Sequence, residues 1–206
     1  QWLFFKGVSV AQSDPDPVVM PSRRKFVGQL GLILASIPLA GAVYGILKGK
    51  YDFTVHKETL SFTDLPEAFD GLKIVQISDI HAGSFDDVDG VQKGLDVIMA
   101  QKPDIILFTG DLVNNLATEA DPFVEMFAKL HAPLGKYSVL GNHDYGHYYR
   151  WETKVDELNN HMAVRAQNAK MGFQMLHNQH LRIEKDGQNI VLAGVENWGS
   201  PPFPQY

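Results

Sequence analysis

The sequence contains no cysteine, which removes disulfides, thiolate zinc sites and thiol nucleophiles in one step. That absence does not fix the compartment, because exported proteins can do without disulfides. Basic charge is scarce over most of the chain. Residues 51–206 carry twelve Lys/Arg against twenty-two Asp/Glu, a balance of −10, whereas residues 1–50 carry six against two, for +4. An acidic body lacks the basic footprint of nucleic-acid recognition, so no nucleic-acid partner is expected and a nuclease is disfavoured. An initiating methionine is also missing: the chain starts at Gln1 and stops in the Pro-rich "SPPFPQY", so both ends read as cut. The 206 residues suffice for one domain of ordinary size plus an extra segment.

Charge is absent altogether from residues 26–47, "FVGQLGLILASIPLAGAVYGIL". Twenty-two such residues can cross a hydrocarbon core of roughly 30 Å as a helix. Pro38 and the glycines weaken a soluble helix but are tolerated in a membrane. The alternative is a buried core helix. Arg23, Arg24 and Lys25 precede the run and should keep that end cytoplasmic, and "SRRKFV" also resembles a twin-arginine export signal. "AGA" at 40–42 could be cleaved, or the helix could remain as an anchor. Residues 1–21 read either as sequence upstream of a start at Met20 or as the tail of an earlier span and a loop. The division expected is therefore 1–21 flank, 22–50 signal or transmembrane helix, and 51–206 soluble domain, at the cytoplasmic membrane and facing out of the cytoplasm, or exported.

Beyond residue 51, apolar runs alternate with helical spacing. "LKIVQISD" (72–79), "DIILFTGD" (104–111) and "KYSVLGN" (136–142) read as strands, and 87–101 and 121–131 as helices, the latter with Asp121 as N-cap and Pro122 at its first position. Near-continuous apolar strands alternating with helices predict an α/β fold, with a parallel sheet covered on both faces. Each strand ends in polar residues: Asp79-Ile80-His81, Gly110-Asp111, and Gly141-Asn142-His143-Asp144. Their counterparts at 79, 111 and 143 stand 32 residues apart, one strand-helix repeat, so all three groups fall at the carboxyl edge of the sheet. On an extended chain Asp79 and His81 would leave the same face. Any one group could be a turn; together they read as a metal site.

Carboxylate, imidazole and amide oxygen suit divalent Mn, Fe, Zn or Ni. A carboxylate can bridge two such ions roughly 3.5–4 Å apart, an arrangement that clamps a phosphate for in-line displacement. His143 beside them could give a proton to the leaving oxygen or stabilise charge in the transition state.

"DIH … GD … GNHD" in this order resembles the first three motifs of the calcineurin-like metallophosphoesterases. "KIVQISDIHAGSF" and "KPDIILFTGDLVNN" are similar to the membrane-associated or twin-arginine-exported bacterial branch. The likeness runs over roughly residues 53–199. It implies a two-sheet sandwich with flanking helices and two divalent ions. Asp79 and His81 would hold one ion, Asp111 would bridge, and Asn142 would hold the second. It further implies His143 as the phosphate-contacting acid, with Asp144 orienting it.

The family also carries a later His and a Gly-His-x-His motif, and no Gly-His-x-His occurs in these 206 residues. His177 and His180 stand by a hairpin expected at 181–185 and 189–195, turning at Asp186-Gly187, and read as surface or loop residues. His56, His131 and His161 read as structural. His147, with Tyr145, Tyr148, Tyr149 and Trp151, either lines the rim of the site or anchors the next helix. With the first βαβαβ half present and the second sheet incomplete, the chain as written is expected to bind metal weakly and to be nearly inactive. The expected activity of the whole is metal-dependent hydrolysis of a phosphomonoester, phosphodiester or pyrophosphate, with lipid-linked substrates among the candidates. The alternative is a non-catalytic anchored module that keeps half of the site.

Overall fold

A computed structural model describes residues 21–47 and 49–199. The expected flank ahead of Pro21 and the Pro-rich end, 200–206, lie outside the described residues. The chain divides into two compact units, Gln1–Lys50 and Tyr51–Tyr206.

The first unit contains helix α1 (Pro21–Leu47), which continues through Pro38. Its segment Arg23–Ile46, 24 residues, is long and apolar enough to cross a membrane, and side chains such as Leu32 and Leu39 are exposed along it. Among the described residues this segment is exposed throughout, unlike the alternative of a buried core helix.

The second unit is built on a four-stranded parallel sheet in the order β1 (Ile74–Ile77), β2 (Ile105–Phe108), β3 (Lys136–Ser138), β4 (Gln174–Met175). Ile74 pairs with Ile105 and Ile77 with Phe108, and Phe108 in turn faces Ser138. Strands β1, β2 and β3 are each shorter than the run that announces them, and the polar residues that follow lie in the loops after them. Helix α2 (Val88–Ala100) is capped by Asp87, whose carboxylate accepts from Asp89 N at 3.0 Å. Its Val91 and Leu95 pack with Ile106 and Phe108 on one face of the sheet. The other face carries Ile105 against Phe69 and Ile183. Ile183 belongs to the hairpin of β5 (Gln179–Lys185) and β6 (Gln188–Gly194), closed at Asp186-Gly187 as expected. Layers of helix, parallel sheet and hairpin thus make the α/β core.

Three elements differ from expectation. The helix expected at 121–131 is a 3-10 segment, Ala117–Phe123, followed by the short α3 (Val124–Ala128). Asp121 is no cap there: its carboxylate accepts from Gln167 Nε2, while Glu119 takes the Leu116 N–H at 2.9 Å. Helix α4 (Lys154–Lys170) has no apolar stripe, since Val155, Leu158 and Met162 are exposed while Glu157, Gln167 and Asn168 are buried. Its signature is instead the reciprocal cap between Thr153 and Asp156. Strand β4, of two residues, is too short to leave a pattern.

Candidate metal centre

The loops after β1, β2 and β3 run side by side. Thr109 N donates to the Ile77 carbonyl, Asp79 N to Gly110, His81 N to Asp111 and Ala82 N to Leu112, all at 2.9–3.0 Å. The first two loops thus continue the parallel ladder past the strand ends. Asp79, His81 and Asp111 have φ of 53°, 45° and 57°, so the backbone there is left-handed. The expected extended Asp-Ile-His is corrected accordingly: its two side chains converge through left-handed turns instead of a pleat. Such backbone costs of order 1–3 kcal/mol per residue and is held only where surrounding structure over-determines it. Glycine makes the approach possible at both neighbours. A Cβ on Gly110 would meet the backbone of Gly141, and one on Gly141 would meet the Asp111 carboxylate.

The result is a cluster of His81, Asp111 and His143 whose ligand atoms lie within 4.8 Å of one another. His81 Nε2 stands 3.8 Å from Asp111 Oδ2 and 3.9 Å from Asp79 Oδ1. Asp111 is buried and Asp79 is exposed, so the pair present one fixed and one accessible carboxylate. The rings of His81 and His143 meet edge to face at 4.7 Å. Asp79, His81, Asp111 and His143 are therefore brought together. Asn142 adjoins them in the chain and lies outside the three-residue cluster; its described contact runs from Nδ2 to the Tyr148 hydroxyl at 2.9 Å.

His143 is held at three points. Its N–H donates to Asp111 Oδ1 at 2.8 Å, its ring packs on Tyr148, and its Nδ1 lies 2.7 Å from the Asn114 carbonyl. A carbonyl only accepts, so Nδ1 carries the hydrogen and Nε2 is left to bind a ligand or exchange a proton. The Asn114 carbonyl is in turn fixed by Glu119, whose carboxylate takes the N–H groups of Asn114, Asn115 and Leu116.

Asp144 occupies a different place from the one expected. Fully buried, its carboxylate accepts from the backbone N–H groups of Asp111 (2.9 Å), Leu112 (2.7 Å), Val113 (3.4 Å) and Gly141 (3.0 Å). It does not orient the His143 ring, which Asn114 does; it ties the β2 and β3 loops together. Burial pushes its carboxyl up to about 7, with the Gly141 amide pulling it down and neighbouring Asp111 pushing it further up.

The remaining candidates separate. Tyr145 stacks on His161 of α4 at 5.0 Å, and His147 Nδ1 bonds Glu157 at 2.6 Å, so these two anchor the helix. Tyr148 faces the site. Tyr149, Trp151 and Lys154 line a cavity of about 330 Å³ beside it with His147 and Glu157. His177 bonds Glu196 at 3.2 Å, and His180 lies exposed on β5, inside the hairpin and not ahead of it. His56 and His131, expected to be structural, are exposed. Of the group expected either to line the rim or to anchor the next helix, Tyr148 is the one against the strand-end residues; Asn114 and Glu119 were missed, and only the "NN" after Gly-Asp hinted at turn chemistry there.

The donor set fits a divalent ion. It combines a buried carboxylate, an exposed carboxylate and imidazoles, and the tautomer of His143 is fixed so that one nitrogen faces outward.

The calcineurin-like phosphoesterase family model matches residues 72–197. An uncharacterised metallophosphoesterase of Bacillus subtilis, YkuE, is 35% identical over 132 residues, 62% of this chain and 46% of its own length. A transmembrane protein with metallophosphoesterase domain from Danio rerio is 28% identical over 197 residues, covering 93% of this chain and 41% of that protein. The UDP-2,3-diacylglucosamine pyrophosphatase LpxG of Chlamydia trachomatis is 42% identical over 89 residues, 41% of this chain and 27% of its own. The chain spans less than half the length of each of these relatives. On the family match, which takes in all three strand-end loops, the chain belongs to the calcineurin-like phosphoesterases.

Proposed function

We propose that the domain hydrolyses a phosphoester or pyrophosphate bond with two divalent ions, on a lipid-linked substrate at a membrane surface. Members of the family bind divalent metals and are generally hydrolases. The observation that carries the reading is the convergence of His81, Asp111 and His143 within 4.8 Å at the carboxyl edge of the sheet. Asp79 and His81 would hold one ion, Asp111 would be shared and Asn142 would serve the other. Two ions so placed clamp a phosphate and stabilise the attacking and leaving oxygens of an in-line displacement. His143, with Nδ1 engaged by Asn114, offers Nε2 to a phosphate oxygen or a leaving group. Asp144 keeps the two loops in register without touching substrate.

The lipid-linked substrate is favoured by α1, long enough to enter a membrane, and by the partial likeness to a pyrophosphatase whose name specifies a diacylglucosamine. Arg23, Arg24 and Lys25 in the first turns of α1, before its uncharged run, favour a domain facing away from the cytoplasm, reached by insertion or by the twin-arginine route. The boundaries 22–50 and 51–206 belong to the same proposal. So does weak metal binding by these 206 residues alone, which contain no Gly-His-x-His.

The test is hydrolysis of an aryl phosphomonoester, an aryl phosphodiester and a nucleoside-diphosphate lipid by the protein in its natural full length with Mn2+. Turnover abolished by chelator and by Asp111→Asn supports the reading. Turnover indifferent to both overturns it. Metal binding without turnover on any of the three favours the anchored, non-catalytic module.

A further inference from the structure

Tyr148 lies outside the strand-end motifs, yet it touches two consecutive residues of the third one. Its hydroxyl accepts from Asn142 Nδ2 at 2.9 Å, and its ring centroid lies 4.6 Å from that of His143. The ring that supports it is itself immobilised, by the Asn114 carbonyl at Nδ1 and by the edge contact with His81. The phenol therefore has a fixed wall behind it, although the residue is 45% exposed.

An asparagine amide has two unlike ends, and only its oxygen ligates a divalent ion. Its terminal torsion is broad and roughly two-fold, so an unsupported Asn142 would present either end. With the NH2 group on the Tyr148 hydroxyl, the oxygen is the end left over. We propose that Tyr148 is a positioning residue of the metal centre: by accepting from Asn142 Nδ2, its hydroxyl holds the side chain with the amide oxygen free to ligate. The inference rests on the assignment of Asn142 as a metal ligand made above. Partners of ligating side chains carry weight, and losing one typically weakens metal affinity about 10–100-fold. His143 gains nothing from the hydroxyl itself, so the ring and the hydroxyl can be separated by Tyr148→Phe.

The experiment is a Mn2+ titration of the chain, with free Mn2+ counted by its EPR signal up to millimolar concentration. It compares the unmodified protein, Tyr148→Phe, Asn142→Ala and the double variant, with thermal unfolding recorded on each. The expected result is that Tyr148→Phe weakens one Mn2+ site about tenfold and leaves the unfolding midpoint in place. In the Asn142→Ala background the same change should weaken binding no further, as required of a residue acting through Asn142. Unchanged affinity in Tyr148→Phe, or a loss that persists without Asn142, overturns the inference and leaves the metal reading standing. If Asn142→Ala binds as well as the unmodified chain, or that chain binds no Mn2+, the ligand assignment fails and the inference falls with it.

Discussion

Left-handed backbone recurs along the domain, and two of its occurrences invite comparison: the carboxyl edge of the parallel sheet and the turn of the β5–β6 hairpin. Their residues come from the same vocabulary, Asp79, Asp111 and Gly110 in one, Asp186 and Gly187 in the other. At the hairpin both residues are exposed, and the space where a Gly187 Cβ would stand is open. The positive φ there serves only to reverse the chain. At the sheet edge a Cβ on Gly110 would strike the next loop, and the polar side chains converge on one another. Turn chemistry and site chemistry look alike in a short stretch of sequence. They part in crowding and in convergence, and both properties belong to the tertiary fold.

The contrast can be broken most forcefully at Asp144. Asp144→Ala strips the acceptor from three buried backbone N–H groups and the partly buried one of Gly141, which together bind the β2 and β3 loops. It should cost at least about 3 kcal/mol in urea unfolding and loosen the site loops, with the hairpin register kept. Next comes the matched pair Gly110→Ala and Gly187→Ala. The first meets both a positive φ of 98° and the Gly141 backbone, for about 3 kcal/mol. The second meets a positive φ of 76° alone, for about 1 kcal/mol. Equal losses would erase the distinction between the two turns.

The smallest effect is a pH dependence at His161, which stacks on Tyr145 below the third loop. Burial lowers its pKa from 6.5, so the unfolded chain binds the proton more readily than the folded one. The stability it contributes is complete above pH 6.5 and is lost as pH falls below that value. Amide protection factors should therefore fall around Tyr145 on acidification before they do in the hairpin, and His161→Gln should remove that difference.

Much of this was legible beforehand, for reasons that differ from residue to residue. Asp79, His81, Asp111 and His143 were found because each ends an apolar strand and a parallel sheet gathers such ends at one edge. The hairpin turn was found because Asp-Gly between apolar runs has one common use. Helix α4 escaped because its buried residues are Glu157, Val164, Gln167 and Asn168, of which only Val164 is apolar, so no apolar period marks it. The bracing of the site escaped for a related reason. Asn114 acts through its backbone carbonyl, a main-chain contact that leaves no choice of residue type to read, and the Glu119 carboxylate takes three backbone amides rather than a residue of the strand-end motifs. Asp144 was singled out, but its partners are amides 31 to 33 residues upstream and one three residues before it. Only the fold could show that it joins loops where a contact to His143 was expected.

On the proposed function, the crowded left-handed turns at the sheet edge would bind divalent ions and the open hairpin turn would not. Paramagnetic broadening of amide resonances by substoichiometric Mn2+ tests it directly. The account predicts loss of signal first at residues 79–82, 110–113 and 141–144, with 185–188 unaffected, and abolition of that pattern by Asp111→Asn. Broadening spread over the acidic surface, or as strong at Asp186 as at Asp111, would contradict it.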